Sequence, residues 1–366
     1  MSKYTIILVI SLLAVASAEF NETRVGASCT ITDYSQVDSV VKSCTTIVVS
    51  NLHVSAGKTL KLHLKSGTKL TFQGKVTFDH HAWDGPLVEL QGTNIYVTGA
   101  SGHVLDGEGA KYWDGKGDKG GKKPKFFRIK NSSGKVENIH LLNCPHQCAS
   151  ILSSKSLTLS NWNIDVSAGD ANALGHNTDG FDVSECDGLL IQNCVVKNQD
   201  DCIAVNSGKN LHFDKMYCSG GHGLSLSIGV SKTDSSKNYA QNVTFSNSNV
   251  VNSRNAIHVK THTDAASGYI KDLTYRNIQM SGITHYGINV QEDYKGGSST
   301  GKASNNIPIT NMMVNTVKGT MTSSNAMPVY ILCGSSGCSN FQWSGVSISG
   351  GHKSSQCNYH PSGFSC

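Results

Sequence analysis

What most constrains this chain is a repeated short β-type segment that ends on, or next to, an asparagine. Val136-Glu-Asn-Ile-His-Leu-Leu-Asn143, Leu157-Thr-Leu-Ser-Asn-Trp-Asn163, Leu189-Leu-Ile-Gln-Asn193 and Leu273-Thr-Tyr-Arg-Asn277 form one set. A second set lies between them: Asp179-Gly-Phe-Asp-Val183, Asp201-Cys-Ile-Ala-Val205, Gly223-Leu-Ser-Leu-Ser227, Ala256-Ile-His-Val259, Gly287-Ile-Asn-Val290 and Val329-Tyr-Ile-Leu332. The period is two, and the only helical pattern is a short one near 33–43, so the chain reads as all-β. Two alternating sets that recur every roughly 20 to 40 residues are the mark of a solenoid. A parallel β-helix fits, with equivalent positions stacked about 4.8 Å apart. Asparagine ladders in the turns would join neighbouring coils. The region around Cys29 and Cys44 and the tail from Cys333 to Cys366 are placed to cap the exposed ends.

The N-terminus sets the compartment. A weakly basic Met1-Ser2-Lys3, an apolar run over 5–15 and Ala16-Ser17-Ala18 read as a secretory signal peptide over 1–18. A short propeptide or extension over 19–27 and one catalytic domain over 28–366 follow. No later stretch is apolar enough to span a bilayer. All 12 cysteines lie beyond the signal, and outside the cell such a set reads as disulfides. Zinc is disfavoured, because no CxxC pairs occur at finger spacing. Asn21, Asn131 and Asn242 each open an N-x-S/T sequon and are glycosylation candidates. The net charge of +5 suits an acidic partner. There is no lysine/arginine stripe with interleaved aromatics, which excludes a nucleic-acid signature. The lysines over 111–130 read as a solvated glycine-rich loop.

Four motifs fall on successive members of the second set: Asn177-Thr-Asp179-Gly, Asn198-Gln-Asp200-Asp201, Gly221-His222-Gly223 and His258-Val-Lys260. Asp179 to Asp200 spans 21 residues and Asp200 to His222 spans 22, one coil each. Three carboxylates, an imidazole and an ammonium therefore gather in one groove. Crowded carboxylates do not all ionise, so one keeps its proton beside ionised bases. Glycoside hydrolysis needs that pair. Alone, each motif would read as a turn; their common register argues otherwise.

With these motifs the chain resembles the polygalacturonases, family 28 of the glycoside hydrolases. Also shared are Asp106-Gly-Glu-Gly109, Trp113-Asp-Gly-Lys-Gly117, Tyr286-Gly287 running on to Gln291-Glu-Asp-Tyr294, and the tail Ile331-Leu-Cys-Gly334 with Cys338. The likeness runs from Cys29 to Cys366 and is strongest to compact endo-acting members. It implies a right-handed parallel β-helix of about ten coils and endo-cleavage of α-1,4-galacturonosidic bonds of polygalacturonic acid (pectin), with inversion and with no metal or other cofactor. By motif position Asp200 is the general acid and Asp179 and Asp201 activate water. His222 sets the protonation of Asp200, Asn177 orients the site, and His258, Lys260, Gln291 and Tyr294 contact substrate. The implied disulfides are Cys29–Cys44, Cys202–Cys218, Cys333–Cys338 and Cys357–Cys366. The extra Cys144, Cys148, Cys186 and Cys194 are expected to pair locally. A secreted monomer is expected, with pectin and a plant polygalacturonase-inhibiting protein as partners.

Three departures bear on substrate. His258 stands where the family has arginine, and histidine grips a carboxylate only when protonated. Weaker binding, an acidic optimum or a different substrate would follow. Arg254, four residues earlier, is not expected to reach the same spot. Leu224-Ser-Leu-Ser-Ile-Gly229 is longer than usual and would reshape the groove wall. Glu185 replaces a substrate-binding asparagine. Two alternatives stay open: a non-catalytic pectin- or inhibitor-binding relative, and a hydrolase of another pectin such as rhamnogalacturonan. A calcium-dependent pectate lyase lacks this acid set.

Overall fold

The computed structural model describes residues 28–366. The signal segment, the 19–27 extension and the Asn21 sequon lie outside the described residues. The chain winds as a right-handed parallel β-helix. Eleven parallel rungs of one sheet follow strictly in chain order, from Leu60–His63 to Gln356–Cys357, close to the ten or so coils expected. The short strand Ser298–Ser299 folds back antiparallel on Tyr286–Lys295.

Strict alternation decides what each rung buries. Phe181, Ile203, Leu224, Ile257 and Ile288 are in register and fully buried. Their neighbours Asp182, Ala204, Ser225, His258 and Asn289 are in register on the opposite face. The interior stacks like side chains on like: Phe213 lies on Phe245 with ring centroids 4.7 Å apart, and Phe245 on Tyr275 at the same 4.7 Å.

Asparagine serves the corners twice. Asn210, Asn242, Asn247 and Asn277 hold φ between 51° and 55°, a region asparagine tolerates better than other side chains. Their amides then join coils: Asn242 Nδ2 donates to Asn210 Oδ1 and Asn210 Nδ2 to Asp187 Oδ1, both at 2.8 Å. A second ladder runs from Asn277 to Asn247 (2.8 Å) and on to Asp214 (2.7 Å). The sequon asparagine Asn242 is thus part of a ladder.

The N-terminal end is closed by the helix Val37–Ser43, with Val37, Val40 and Val41 buried. Asp33 and Gln36 form a capping box one turn earlier, and Cys29–Cys44 ties the cap down. At the other end Phe364 packs on Trp343 and Tyr359 on Phe341, held by Cys357–Cys366. Cys202–Cys218, Cys333–Cys338 and Cys144–Cys148 are also joined. The expected local pairing of Cys186 with Cys194 fails. Both are buried free thiols. The strand Cys186–Gln192 runs between them, which sets them roughly 20–25 Å apart, far beyond the ~6 Å a disulfide spans.

The lysine-rich segment also differs from expectation. Lys116, Lys119 and Lys122 are exposed, but the Lys123 side chain is only 3% exposed and sits 2.9 Å from Asp114.

Candidate active site

The motif turns sit at the edge of three successive rungs, Phe181–Ser184, Ile203–Val205 and Leu224–Ile228. Extending the strand register by two residues aligns Asp179 with Asp201 and His222. The 21- and 22-residue intervals had suggested Asp179, Asp200, His222; Asp200 in fact stands one residue out of file. Residues around the acids hold these turns. Asn198 Nδ2 donates to the carbonyls of Thr178 (2.9 Å), Asp200 and Asp201 (3.0 Å each). Thr178 Oγ1 accepts from the Gln199 backbone and donates to its side chain, at 2.9 and 2.8 Å. A Cβ on Gly221 would fall 2.1 Å from the Asp200 carbonyl, so only glycine lets His222 come this close.

Two ion pairs result. His222 Nδ1 lies 2.9 Å from Asp200 Oδ1, which also accepts from the Asp201 amide at 2.8 Å; Asn177 Nδ2 donates to Asp200 Oδ2 at 3.1 Å. Lys260 Nζ lies 2.9 Å from Asp201 Oδ2, and Ser225 Oγ donates to Asp201 Oδ1 at 2.6 Å. Burial pushes Asp200 up, but the His222 hydrogen bond and charge, then Lys260, outweigh it and hold the carboxyl at about 2. Burial lowers His222 while Asp200 raises it, and the net is upward. Asp179 behaves oppositely. Burial, then the charges of Asp200, Asp182 and Asp201, lift it well above the usual range. Burial likewise raises Asp182 to about 7. In the free groove, then, Asp179 and Asp182 are protonated at mildly acidic pH. Asp200 is ionised against His222, and Asp201 is paired with Lys260. The apparent values belong to the cluster as a whole.

Asp182 was not singled out in the sequence, although alternation exposes it: Phe181 points in, so Asp182 points into the groove. One buried oxygen, Oδ2, has no hydrogen-bond partner. Ser225 was missed too, because it lies in the segment expected to reshape the wall. That segment is instead a regular strand, Leu224–Ile228, in unbroken register with Asn255–His262. It directs Ser225 to Asp201 and Ser227 Oγ to His262 Nε2 at 2.9 Å.

The groove encloses about 940 Å³, and Asn177, His258, Lys260, Gln291 and Tyr294 all line it. Lys260 is committed to Asp201 and lies 5.2 Å over the Tyr294 ring. Gln291 Oε1 accepts from Asn289 Nδ2 at 2.7 Å. His258 carries a buried Nε2 without a partner. Burial, then Lys260, His222, Arg254 and His285, hold it well below its ordinary value, so it is neutral over the mildly acidic range. Arg254 lines the same groove. Its backbone is pinned by the Gly221 carbonyl at 2.7 Å and the His285 amide at 2.8 Å, and among the described residues it has no ion pair. Glu185 lines the groove as well, 3.9 Å from Lys237. Asp200, Asp201 and His222 place three ligand atoms within 4.8 Å of one another, a cation-site spacing. Here Lys260 brings positive charge to the same carboxylates.

Known proteins share this architecture. The Glycosyl hydrolases family 28 profile matches residues 44–366. A polygalacturonase of Phaedon cochleariae is 55% identical over 344 residues, 93% of this chain and 94% of that one. A probable endopolygalacturonase I of Aspergillus terreus is 48% identical, over 94% and 92% of the two chains. The solved endopolygalacturonase I of Stereum purpureum, complexed with two galacturonates, superposes with a TM-score of 0.80 at 33% identity, covering 89% of this chain and 96% of that one. Profile, relatives and fold agree over nearly the whole described chain, which belongs to family 28 of the glycosyl hydrolases.

Proposed function

We propose that this chain is an endo-polygalacturonase that hydrolyses α-1,4-galacturonosidic bonds within polygalacturonic acid and inverts the anomeric centre. The observation that carries the reading is the proton inventory of the groove. The Asp200–His222 pair holds one proton across 2.9 Å. Asp201 is paired with Lys260 at 2.9 Å, and Asp179 stands in file with Asp201 and His222. In this reading Asp200 protonates the glycosidic oxygen, and Asp201, joined by Asp179 once it has lost its own proton, takes the proton of the attacking water. The free carboxyl near 2 is no obstacle, because the galacturonate brings its own negative charge. A like charge nearby raises an acid and an opposite charge favours a protonated histidine, so substrate arrival keeps the stored proton on the Asp200–His222 pair, from which Asp200 delivers it. A protein that only bound pectin would gain nothing from storing a proton beside ionised acids.

Export under the 1–18 signal, action as a monomer and recognition by a plant inhibitor protein complete the proposal. Five disulfides support export, and among the described residues no helix is long and apolar enough to cross a membrane. The test is reducing-end release from polygalacturonic acid, with oligomer lengths and the anomer of the first product recorded. Random oligomers, an inverted anomer and loss of turnover in Asp200→Asn are expected. Binding without turnover, or unsaturated products, would sink the reading.

A further inference from the structure

The loop that follows Trp113 is charged and glycine-rich, yet it is built around one buried cation. Lys123 Nζ lies 2.9 Å from Asp114 Oδ1 and donates to the carbonyls of Gly117 (3.1 Å) and Gly121 (2.9 Å). Asp114 closes the same ring, accepting from the amides of Lys116 (3.0 Å) and Gly121 (2.9 Å). The ring fixes the short helical turn Gly117–Lys119 against the active site. There the Asp118 amide donates to Asn177 Oδ1 at 3.0 Å. The approach is close: a Cβ on Gly117 would lie 2.0 Å from that same oxygen. With its oxygen so held, the Asn177 amide has only its nitrogen to offer the groove, and Nδ2 meets Asp200 Oδ2 at 3.1 Å.

We propose that Lys123 is a positioning residue for the reaction, acting through the Asp118 N–H to lock the orientation of Asn177 and with it the carboxyl of Asp200. An asparagine side chain presents an oxygen and a nitrogen of similar shape. Unlocked, it can turn its oxygen toward Asp200 and repel the carboxylate it now stabilises. A buried ammonium surrounded by one carboxylate and two carbonyls is a rigid anchor, and small misplacements of a reacting group are costly in rate. The proposal rests on the reading of Asp200 as the acid.

The test compares four proteins by kcat, KM and pH profile on polygalacturonic acid: wild type, Lys123→Met, Asp118→Pro and Asp118→Ala. Proline deletes the N–H that holds Asn177; alanine keeps it, so the Pro/Ala comparison isolates that one donor. Lys123→Met and Asp118→Pro are each expected to lower kcat about tenfold or more, with KM changed by less than about threefold. Both should also move the basic limb of the profile upward, since Asp200 loses a donor to its ionised form. If Asp118→Pro matches Asp118→Ala in kcat and in limb position, the lock is refuted, even if Lys123→Met lowers thermal stability. Absence of turnover in wild type would instead refute the functional reading.

Discussion

Replacing Asp182 by asparagine gives a stability change whose sign depends on pH. Asp182 titrates at 3.8 when unperturbed and at about 7 in the folded groove, chiefly because it is buried. A folded value raised above the unfolded one gives stability that is fully present below about pH 3.8 and lost as pH rises through about 7. At about 1.4 kcal/mol per pH unit the full loss is about 4 kcal/mol. Between about pH 5 and about pH 8 the single-site linkage gives a loss of roughly 2–3 kcal/mol. Asparagine has no such proton, so Asp182→Asn should lack this part of the slope. Any hydrogen bonds it gains or loses are the same at both pH values and cancel in the difference. For about 340 ordered residues, roughly 2.1 cal/mol/K per residue makes 1 kcal/mol worth about 1.4 °C. Wild type should therefore lose about 4 °C more than Asp182→Asn between the two pH values in paired melting curves. Parallel pH dependence in the two proteins would show that Asp182 is ionised throughout and that burial does not hold its proton in the groove.

The other expectations concern turnover, binding and thiols. In the proposed mechanism water activation needs Asp179 deprotonated, and Asp179 lies well above 3.8; the stored proton needs His222 charged, and His222 lies above 6.5. The kcat/KM profile should be a bell with its acid limb above pH 3.8 and its basic limb above pH 6.5. The basic limb of kcat should lie higher still, because bound substrate adds negative charge. His222→Gln should cost roughly 10²–10⁴ in kcat, and an unchanged basic limb in that variant contradicts the pairing. Arg254 lines the groove without an ion pair among the described residues, so Arg254→Ala should raise KM roughly tenfold or more at nearly constant kcat, as for loss of a charged hydrogen bond. His258→Arg should not lower KM, because a fixed cation there must be desolvated beside Lys260 and His222, whereas acid-dependent strengthening of wild-type binding would mean that His258 does protonate. Burial lifts the Cys186 thiol to about 11 and the Cys194 thiol to about 12, so neither should react with a thiol reagent in the native protein and both should react after denaturation. Absence of both after denaturation would mean that they are oxidised.

Fold and acids were legible for the same reason: both depend on position along the chain. A strand's alternation and a coil's length are printed directly in the sequence. So the segments that hold Phe181, Ile203 and Leu224 could be read as successive strands, and the motif acids placed near one another, without coordinates. The errors arose where position is not enough. Asp200 was put in file with Asp179 because a coil of 21 or 22 residues leaves a one-residue ambiguity that only the backbone bonds resolve. Cys186 and Cys194 looked like a local pair because eight residues is a short loop, but here those residues are mostly one extended strand. Lys123 looked solvated because its neighbours are glycines and lysines. What buries it is Asp114, nine residues back, and two backbone carbonyls, which carry no sequence signal.

The substrate side was least legible, since it depends on charge balance rather than contact. Reading His258 as a weakened grip assumed that the groove needs a cation at that place. The structure sets a different condition. Lys260, which was expected to hold the sugar, is committed to Asp201. A second fixed cation beside it would have to be desolvated next to Lys260 and His222. The groove holds His258 neutral for that reason, and it leaves accessible positive charge to Arg254, at the exposed edge where hydration costs little to keep, and to Lys125 and Lys237 along the same groove. A polyanion can then approach a cluster that is neutral at its centre and positive at its rim. His258 and Arg254 therefore act together: the uncharged ring lies at the buried centre and the guanidinium, four residues earlier, at the exposed rim, and the Asp200–His222 and Asp201–Lys260 pairs are undisturbed by either.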